Sequence, residues 1–368
     1  MTIEMVRLER CSKSYGSVTA LTEIDLAIAK GEFVTLLGPS GSGKTTLLNL
    51  IAGMVAPSAG RVFIDGRDAT NLPPSKRGLG MVFQNYALMP HMTVFDNIAF
   101  PLRVRKLPRA DIERRVAEVL EMVQLPKVAG RKPRELSGGQ QQRISLARCI
   151  VYNPAIILMD EPLGALDKKL REDMQLEIKR LHRELGITML YVTHDQEEAL
   201  IMSDRIVLLT GGRVAQMGTP DELYHRPLST FVANFLGHSN LFEGHIENHG
   251  PPVCVRTAEG FTLLSQPFDG QGAKVGETVS VMVRPENVVI MLPSDPAGAM
   301  ENTMEGTVNE SVNLGGVIRH YVAGPAGRIF VSVEFNRPGL RVLDKGAQVR
   351  LAWRAIDMRL LSASGSEP

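Results

Sequence analysis

The segment Gly38-Pro39-Ser40-Gly41-Ser42-Gly43-Lys44-Thr45 constrains this chain more than any other. It fits the pattern G-x-x-x-x-G-K-[ST]. Before it stands Phe33-Val34-Thr35-Leu36-Leu37, an apolar run that predicts a buried strand, and after it residues 45–52 predict a helix. Strand, glycine loop and helix together make a phosphate cradle. Glycines let backbone N–H groups curl around phosphate oxygens with no side chain in the way. Thr46 extends the helix start, whose dipole favours an anion. Lys44 suits the β- and γ-phosphates and Thr45 suits Mg²⁺. As a bare strand–helix turn the pattern arises by chance about once in a hundred chains of this length, and its context lowers that further. The expected ligands are ATP and Mg²⁺.

The apolar runs at Ile156-Ile157-Leu158-Met159, Thr188-Met189-Leu190-Tyr191-Val192 and Ile206-Val207-Leu208-Leu209 are short, with helical patterns between them. That alternation predicts an α/β fold with a mostly parallel sheet. Asp160-Glu161 caps the first of these runs, at the edge of the sheet where ligands of such folds gather. Asp160 suits Mg²⁺ through water, and Glu161 suits a base or orienting group for an attacking water. An acidic strand end that merely opens a helix is the plain alternative. A largely helical stretch, about 85–153, separates the early and late strands. Within it, Ile112, Val116, Val119, Leu120 and Val123 fall on one helical face.

Near Gly237 the character changes to Gly, Pro and Val with short alternating runs, among them Val279-Ser280-Val281-Met282-Val283, Ile329-Phe330-Val331-Ser332-Val333 and Val349-Arg350-Leu351-Ala352-Trp353. These predict a small all-β, barrel-like domain over 238–368 behind an α/β domain over 1–237, with 362–368 disordered. The 41 basic and 40 acidic residues leave a net charge of +1, which gives no general attraction to nucleic acid or anionic lipid. Cys11, Cys149 and Cys254 show no metal-type spacing, and three cannot all pair within the chain. They fit reduced thiols in a cytoplasm. The first ten residues lack an apolar export segment, and the most apolar window, 149–159, is broken by Asn153 and Pro154. The chain is expected to reach a membrane only through partner subunits.

Leu136-Ser137-Gly138-Gly139-Gln140 decides more. Ser137 and Gln140 have capping-box spacing and predict a helix running through Arg143, Leu146 and Ile150. Two glycines in its first turn leave N–H groups bare, making a second anion site. One nucleotide has one γ-phosphate, already held by the first loop. The economical reading is that the second site completes the pocket of another copy.

Leu136-Ser137-Gly138-Gly139-Gln140-Gln141-Gln142-Arg143 resembles the signature motif of the ABC (ATP-binding cassette) ATPase family. Other family elements stand in order across about 3–236. Tyr15 matches the adenine-stacking aromatic, Gln84 the Q-loop, Gly164-Ala165-Leu166-Asp167 the D-loop, and His194 the switch histidine. The resemblance implies that Gln84 senses Mg²⁺ and the γ-phosphate and reports to membrane subunits. It implies that His194 contacts the γ-phosphate and that Asp167 links two sites across a homodimer. By themselves His194 equally fits a core histidine at a strand end, and Tyr15 a surface aromatic. Gly164 stands where the family often has serine. Tyr86, Leu88, Met89 and Phe95 offer either a docking surface for a permease helix or ordinary core.

Val283-Arg284-Pro285-Glu286 and its neighbouring strands resemble the transport-associated OB-type regulatory domain of bacterial importers. Gln84-Asn85-Tyr86-Ala87-Leu88-Met89-Pro90-His91 and Leu166-Asp167-Lys168-Lys169-Leu170-Arg171 are similar to the polyamine (spermidine/putrescine) importers. That family implies a peripheral ATPase on the cytoplasmic face of the inner membrane. Its partners are two permease subunits and, indirectly, an extracytoplasmic solute-binding protein. Importers of iron, sulfate, phosphonate or sugars share much of this. A soluble ABC ATPase is the alternative, usually marked by a long coiled-coil insertion or a second cassette, neither of which is present. Basic residues interleaved with aromatics are scarce, against nucleic-acid binding.

Overall fold

The computed structural model describes residues 3–362 apart from 165, 249, 267–273, 297 and 341–342. Ala165 of the D-loop segment and residues 363–368 of the expected disordered tail lie outside the described residues. The chain divides into two compact units, 1–220 and 221–367. The expected seam near 237 stands after a pair of short helices that the structural division groups with the second unit.

In chain order the first unit opens with β1 (Glu4–Tyr15), β2 (Val18–Ala29), β3 (Phe33–Leu37), α1 (Lys44–Ala52), β4 (Ala59–Ile64), β5 (Arg67–Asp68) and β6 (Leu79–Val82). The helical stretch comes next as α2 (Val94–Val104), α3 (Arg109–Met122) and α4 (Gly138–Ile150). Then come β7 (Ile156–Asp160), α5 (Lys168–Leu185), β8 (Thr188–Val192), α6 (Gln196–Met202), β9 (Arg205–Thr210) and β10 (Arg213–Gly218). The central sheet has the order β10-β9-β3-β8-β7-β6, parallel from β9 to β6, with β10 antiparallel at one edge.

Strands β3 and β8 are buried at every position, because helices or a second sheet cover both faces. Successive side chains therefore enter two different cores. Ile157, Met159, Met189 and Tyr191 join α2–α5 on one face; Ile156, Leu158, Leu190 and Val192 join α1 on the other. The second core also receives Val6, Leu8, Leu26 and Ile28 from an antiparallel sheet of order β2-β1-β4-β5. The sequence pattern does not announce this sheet, since its long strands carry charged outer faces and few turn signals. Tyr86 is core, and Leu88 and Phe95 pack partly buried against that core. Packing thus accounts for Tyr86, Leu88 and Phe95, while Met89 is half-buried outside that core.

The second unit contains most of α7 (Pro220–His225) and α8 (Thr230–Phe235), then β11 (Asn240–Asn248), β12 (Val253–Thr257), β13 (Thr262–Ser265), β14 (Thr278–Val283) and β15 (Val289–Met291). It continues with β16 (Asn302–Asn313), β17 (Val317–Ala323), β18 (Ile329–Phe335), β19 (Gln348–Trp353) and β20 (Met358–Ser362). Two five-stranded sheets, β13-β12-β11-β14-β20 and β15-β19-β16-β17-β18, share one core around Phe242, Phe330 and Trp353. The domain is all-β and OB-like, as expected.

Candidate functional site

Strands β3, β8, β7 and β6 lie side by side and point the same way, so the residues at their C-terminal ends gather at one edge. The glycine loop leaves the end of β3, His194 stands just past β8, Asp160 and Glu161 end β7, and Gln84 lies just past β6. Ligands of open α/β sheets bind at that edge.

The loop's shape depends on glycine at specific points. Gly38, Gly41 and Gly43 have φ of 152°, 80° and 101°. A Cβ on Gly38 would lie 2.2 Å from the Leu209 carbonyl oxygen, and one on Gly43 would lie 2.7 Å from that of Ala20. At Gly41 the same Cβ would meet open space, so only its backbone angle demands glycine there. Gly43 caps α1 without a side-chain acceptor, which leaves the first-turn amides of Lys44, Thr45 and Thr46 to an anion. Pro39 is half-buried, Ser40 exposed, and the Ser42 hydroxyl buried without a hydrogen-bond partner.

Lys44 is buried and its ammonium donates to the carbonyls of Gly38 and Pro39 at 2.7 and 2.8 Å. Burial lowers its pKa, opposed by the nearby charges of Glu161 and Asp160. The Thr45 hydroxyl donates to Asp160 Oδ1 at 3.3 Å. Burial raises the Asp160 pKa, while the Thr45 hydrogen bond works against that rise. Glu161 holds a left-handed backbone, φ 43°, its N–H donating to Val192 O at 3.0 Å, which ties the acidic pair to β8. Its carboxylate Oε1 lies 3.2 Å from His194 Nδ1. The His194 side chain is 60% exposed, which excludes the core-histidine reading.

Ser137 caps α4: its hydroxyl accepts from Gln140 N–H at 3.3 Å and Gln140 Oε1 accepts from Ser137 N–H at 3.1 Å, the capping box expected from spacing. Ser137 is exposed, whereas Gly139 is buried. A Cβ on Gly139 would lie 2.8 Å from Leu170 Cδ1, so this glycine also serves the packing of α4 on α5. Among the described residues, no hydrogen bond joins the Ser137 group to the Lys44–Asp160 cluster. Gln84 is exposed and likewise forms none with Thr45 or Asp160; its amide lies near Gly164, where an added Cβ would come within 3.9 Å of Nε2. Tyr15, at the end of β1, is 49% exposed, with Lys13 Nζ 5.0 Å from its ring centre.

Sequence reasoning missed the groups that hold these residues in place. Tyr86 and Ala87, just after Gln84, have φ of 59° and 47°. Their carbonyls accept from Ser145 and Arg148 of α4, at 2.9 Å to Tyr86 from the hydroxyl and 2.7 Å to Ala87 from the guanidinium. No spacing rule signals such contacts, because they join segments roughly sixty residues apart.

The ABC transporter family profile matches residues 21–164, and the TOBE domain profile matches 281–361. A "Spermidine/putrescine import ATP-binding protein PotA" of Rubrobacter xylanophilus is 45% identical over 95% of this chain and 92% of its own length. The protein of the same name from Haemophilus influenzae is 46% identical over 92% of this chain and 87% of its own. Among solved structures, the "dimeric structure of a post-hydrolysis state of the ATP-binding cassette MJ0796 bound to ADP and Pi" aligns with a TM-score of 0.53 and 37% identity. It covers 59% of this chain and 99% of that one. Paired loop and acidic strand end, capped glycine helix and β-rich second unit thus agree with the relatives: the chain belongs to the ATP-hydrolysing subunits of ABC transporters.

Proposed function

We propose that this chain works as a head-to-tail homodimer that binds two ATP molecules and couples their hydrolysis to import of a polyamine of the spermidine or putrescine class. The observation that carries the reading is the cluster at the sheet edge: buried Lys44, Thr45 against Asp160, and Glu161 against His194. The cargo class rests on relatives named for spermidine/putrescine import over nearly the full chain.

Each ATP would lie on the glycine loop of one copy, residues 38–46, with its adenine on Tyr15. It would meet Ser137, Gly138, Gly139 and Gln140 of the other copy. Lys44 and the loop amides then meet the triphosphate's negative charge from one side and the bare N–H groups opening the partner's glycine helix from the other, so ATP favours the closed pair and hydrolysis weakens it. No cluster of three or more His, Cys, Asp or Glu among the described residues could hold a metal alone. Mg²⁺ at nucleotide sites is held by one or two protein oxygens plus substrate phosphates. The Thr45 hydroxyl beside the Asp160 carboxylate is a fitting oxygen pair, with Gln84 as a third donor. Bound there, Mg²⁺ would neutralise charge developing on the phosphates. Glu161 would orient the attacking water and accept its proton, and His194 would meet the γ-phosphate.

No helix among the described residues is long and apolar enough to cross a membrane. On this reading cargo would pass through two membrane-spanning permease subunits, loaded by an extracytoplasmic solute-binding protein, as the relatives' import names suggest. This subunit would then sit peripherally on the cytoplasmic face of the inner membrane. The test mixes a Lys44→Ala copy with a Ser137→Arg copy in complexes with the permeases. One intact composite site should restore about half the activity per dimer, stimulated by spermidine-loaded binding protein. Mixtures as inactive as either variant alone overturn the shared site.

A further inference from the structure

A buried polar network lies directly behind His194. Glu198, on α6, is buried and accepts from the hydroxyls of Tyr191 at 2.8 Å and Thr193 at 2.6 Å. Asp195 accepts from the N–H groups of Glu197 and Glu198, at 2.8 and 3.3 Å, and so caps α6. Its own N–H donates to the Thr193 hydroxyl at 3.0 Å. His194 is therefore bracketed by two anchored residues. Burial raises the Glu198 pKa, a sign that its carboxylate needs these partners.

Among the described residues, Arg171 is the cation paired with the network. Arg171, on the first turn of α5, places Nη1 3.4 Å from Asp195 Oδ2 and Nε 3.9 Å from Glu198 Oε1. Its Nη2 donates to the Leu166 carbonyl at 3.0 Å. Leu166 precedes Asp167, whose side chain caps α5 by accepting from Leu170 N–H at 3.0 Å. Nε is buried and forms no hydrogen bond among the described residues, so its contact with Glu198 is an ion pair only. A cavity lined by Arg171, His194 and Asp195 leaves the network room to shift on one side.

We propose that Arg171 is a positioning residue that ties the turn carrying His194 to the segment of Leu166 and Asp167. Each site's own turn thereby stays in register with the group that reaches the neighbouring site. The inference rests on the head-to-tail reading proposed for the dimer. A guanidinium is suited to the task because its rigid fork serves two directions at once, whereas a lysine ammonium is a point charge on a flexible stem.

The experiment uses the same mixed complex. In a pair of Lys44→Ala and Ser137→Arg copies, the working site takes its loop and His194 from the Ser137→Arg copy. It takes its glycine helix start and Asp167 from the other. Arg171→Lys is then placed in either copy in turn. The expected result is a fall in kcat of roughly tenfold whichever copy carries it, with ATP affinity and melting temperature unchanged. A fall only in the copy supplying His194, or in neither, overturns the coupling. Should Arg171→Lys impair folding, Asp195→Asn replaces it, since its side-chain oxygen still caps α6 while the ion pair is gone; the same two-sided loss is required. A mixed pair inactive before any Arg171 change sinks the head-to-tail reading and the coupling with it, whereas a one-sided loss sinks the coupling alone.

Discussion

Asp160 and Lys44 show what one position can cost. Both are withdrawn from water, and burial moves each pKa toward its neutral form. For Asp160 the sign is direct: an acid whose folded pKa is raised keeps its full contribution to stability at low pH. It loses that contribution as pH climbs through the raised value. Asp160→Asn should therefore raise the melting temperature of the nucleotide-free protein at neutral pH by a few degrees, 2–4 °C for each kcal/mol relieved being about the scale for a domain this size. The gain should fade toward acid, and hydrolysis should be abolished; a scan of melting temperature against pH reads the first, an ATPase assay the second. Glu161→Gln should retain ATP binding, lose turnover by about 10²–10⁴-fold, and accumulate as a closed dimer on size exclusion. Thiol reactivity divides the cysteines in the same way. Burial pushes the Cys149 thiol up to about 11, and Cys11 is also buried, whereas Cys254 is partly exposed. Mass spectrometry after brief alkylation at pH 8 should find Cys254 modified first.

At the scale of elements, the glycine loop and α4 differ in why their glycines matter. Gly41 and Gly43 both have positive φ, but only Gly43 is crowded, against the Ala20 carbonyl and Leu21. Gly41→Ala should cost about 1–2 kcal/mol of strain, and Gly43→Ala distinctly more, read as the difference in urea midpoints. Ser137→Ala removes the α4 cap and should cost about 1 kcal/mol of stability, small beside its effect on activity. These elements were legible because their signals are local. A strand feeding a glycine loop, a Ser137–Gln140 box and apolar residues at helical spacing all act within one turn or strand. The sheet β2-β1-β4-β5 was not legible, because its pairing joins strands with exposed, charged faces and several register shifts. For Tyr86 the sequence left docking surface and core both open, because its neighbours Asn85 and Ala87 are exposed while Tyr86 itself is buried.

Across the whole molecule, the two units carry separate cores. Within the second, Arg284 is buried and donates to the carbonyls of Ala233 and Tyr224 and to the Ser239 hydroxyl, each at 2.8 Å, while stacking 4.1 Å from the Tyr224 ring centre. It staples the α7–α8 segment to the β-rich body. Arg284→Met strands several acceptors at once and should destabilise this unit by on the order of 3 kcal/mol. Calorimetry should show its transition lowered while ATP binding is kept; a single transition displaced as a whole would refute independent cores. The sequence by itself determined the chemistry of the nucleotide loop, the acidic strand end and the capped glycine helix, because each is a short-range arrangement of backbone and neighbouring side chains. Only the tertiary structure decided that Thr45 meets Asp160, that Glu161 meets His194, and that Arg171 spans from Leu166 to Asp195. Such meetings depend on which strands lie side by side, and strand order is set by the packing of two cores on opposite faces of one sheet, a property that no local stretch of residues encodes.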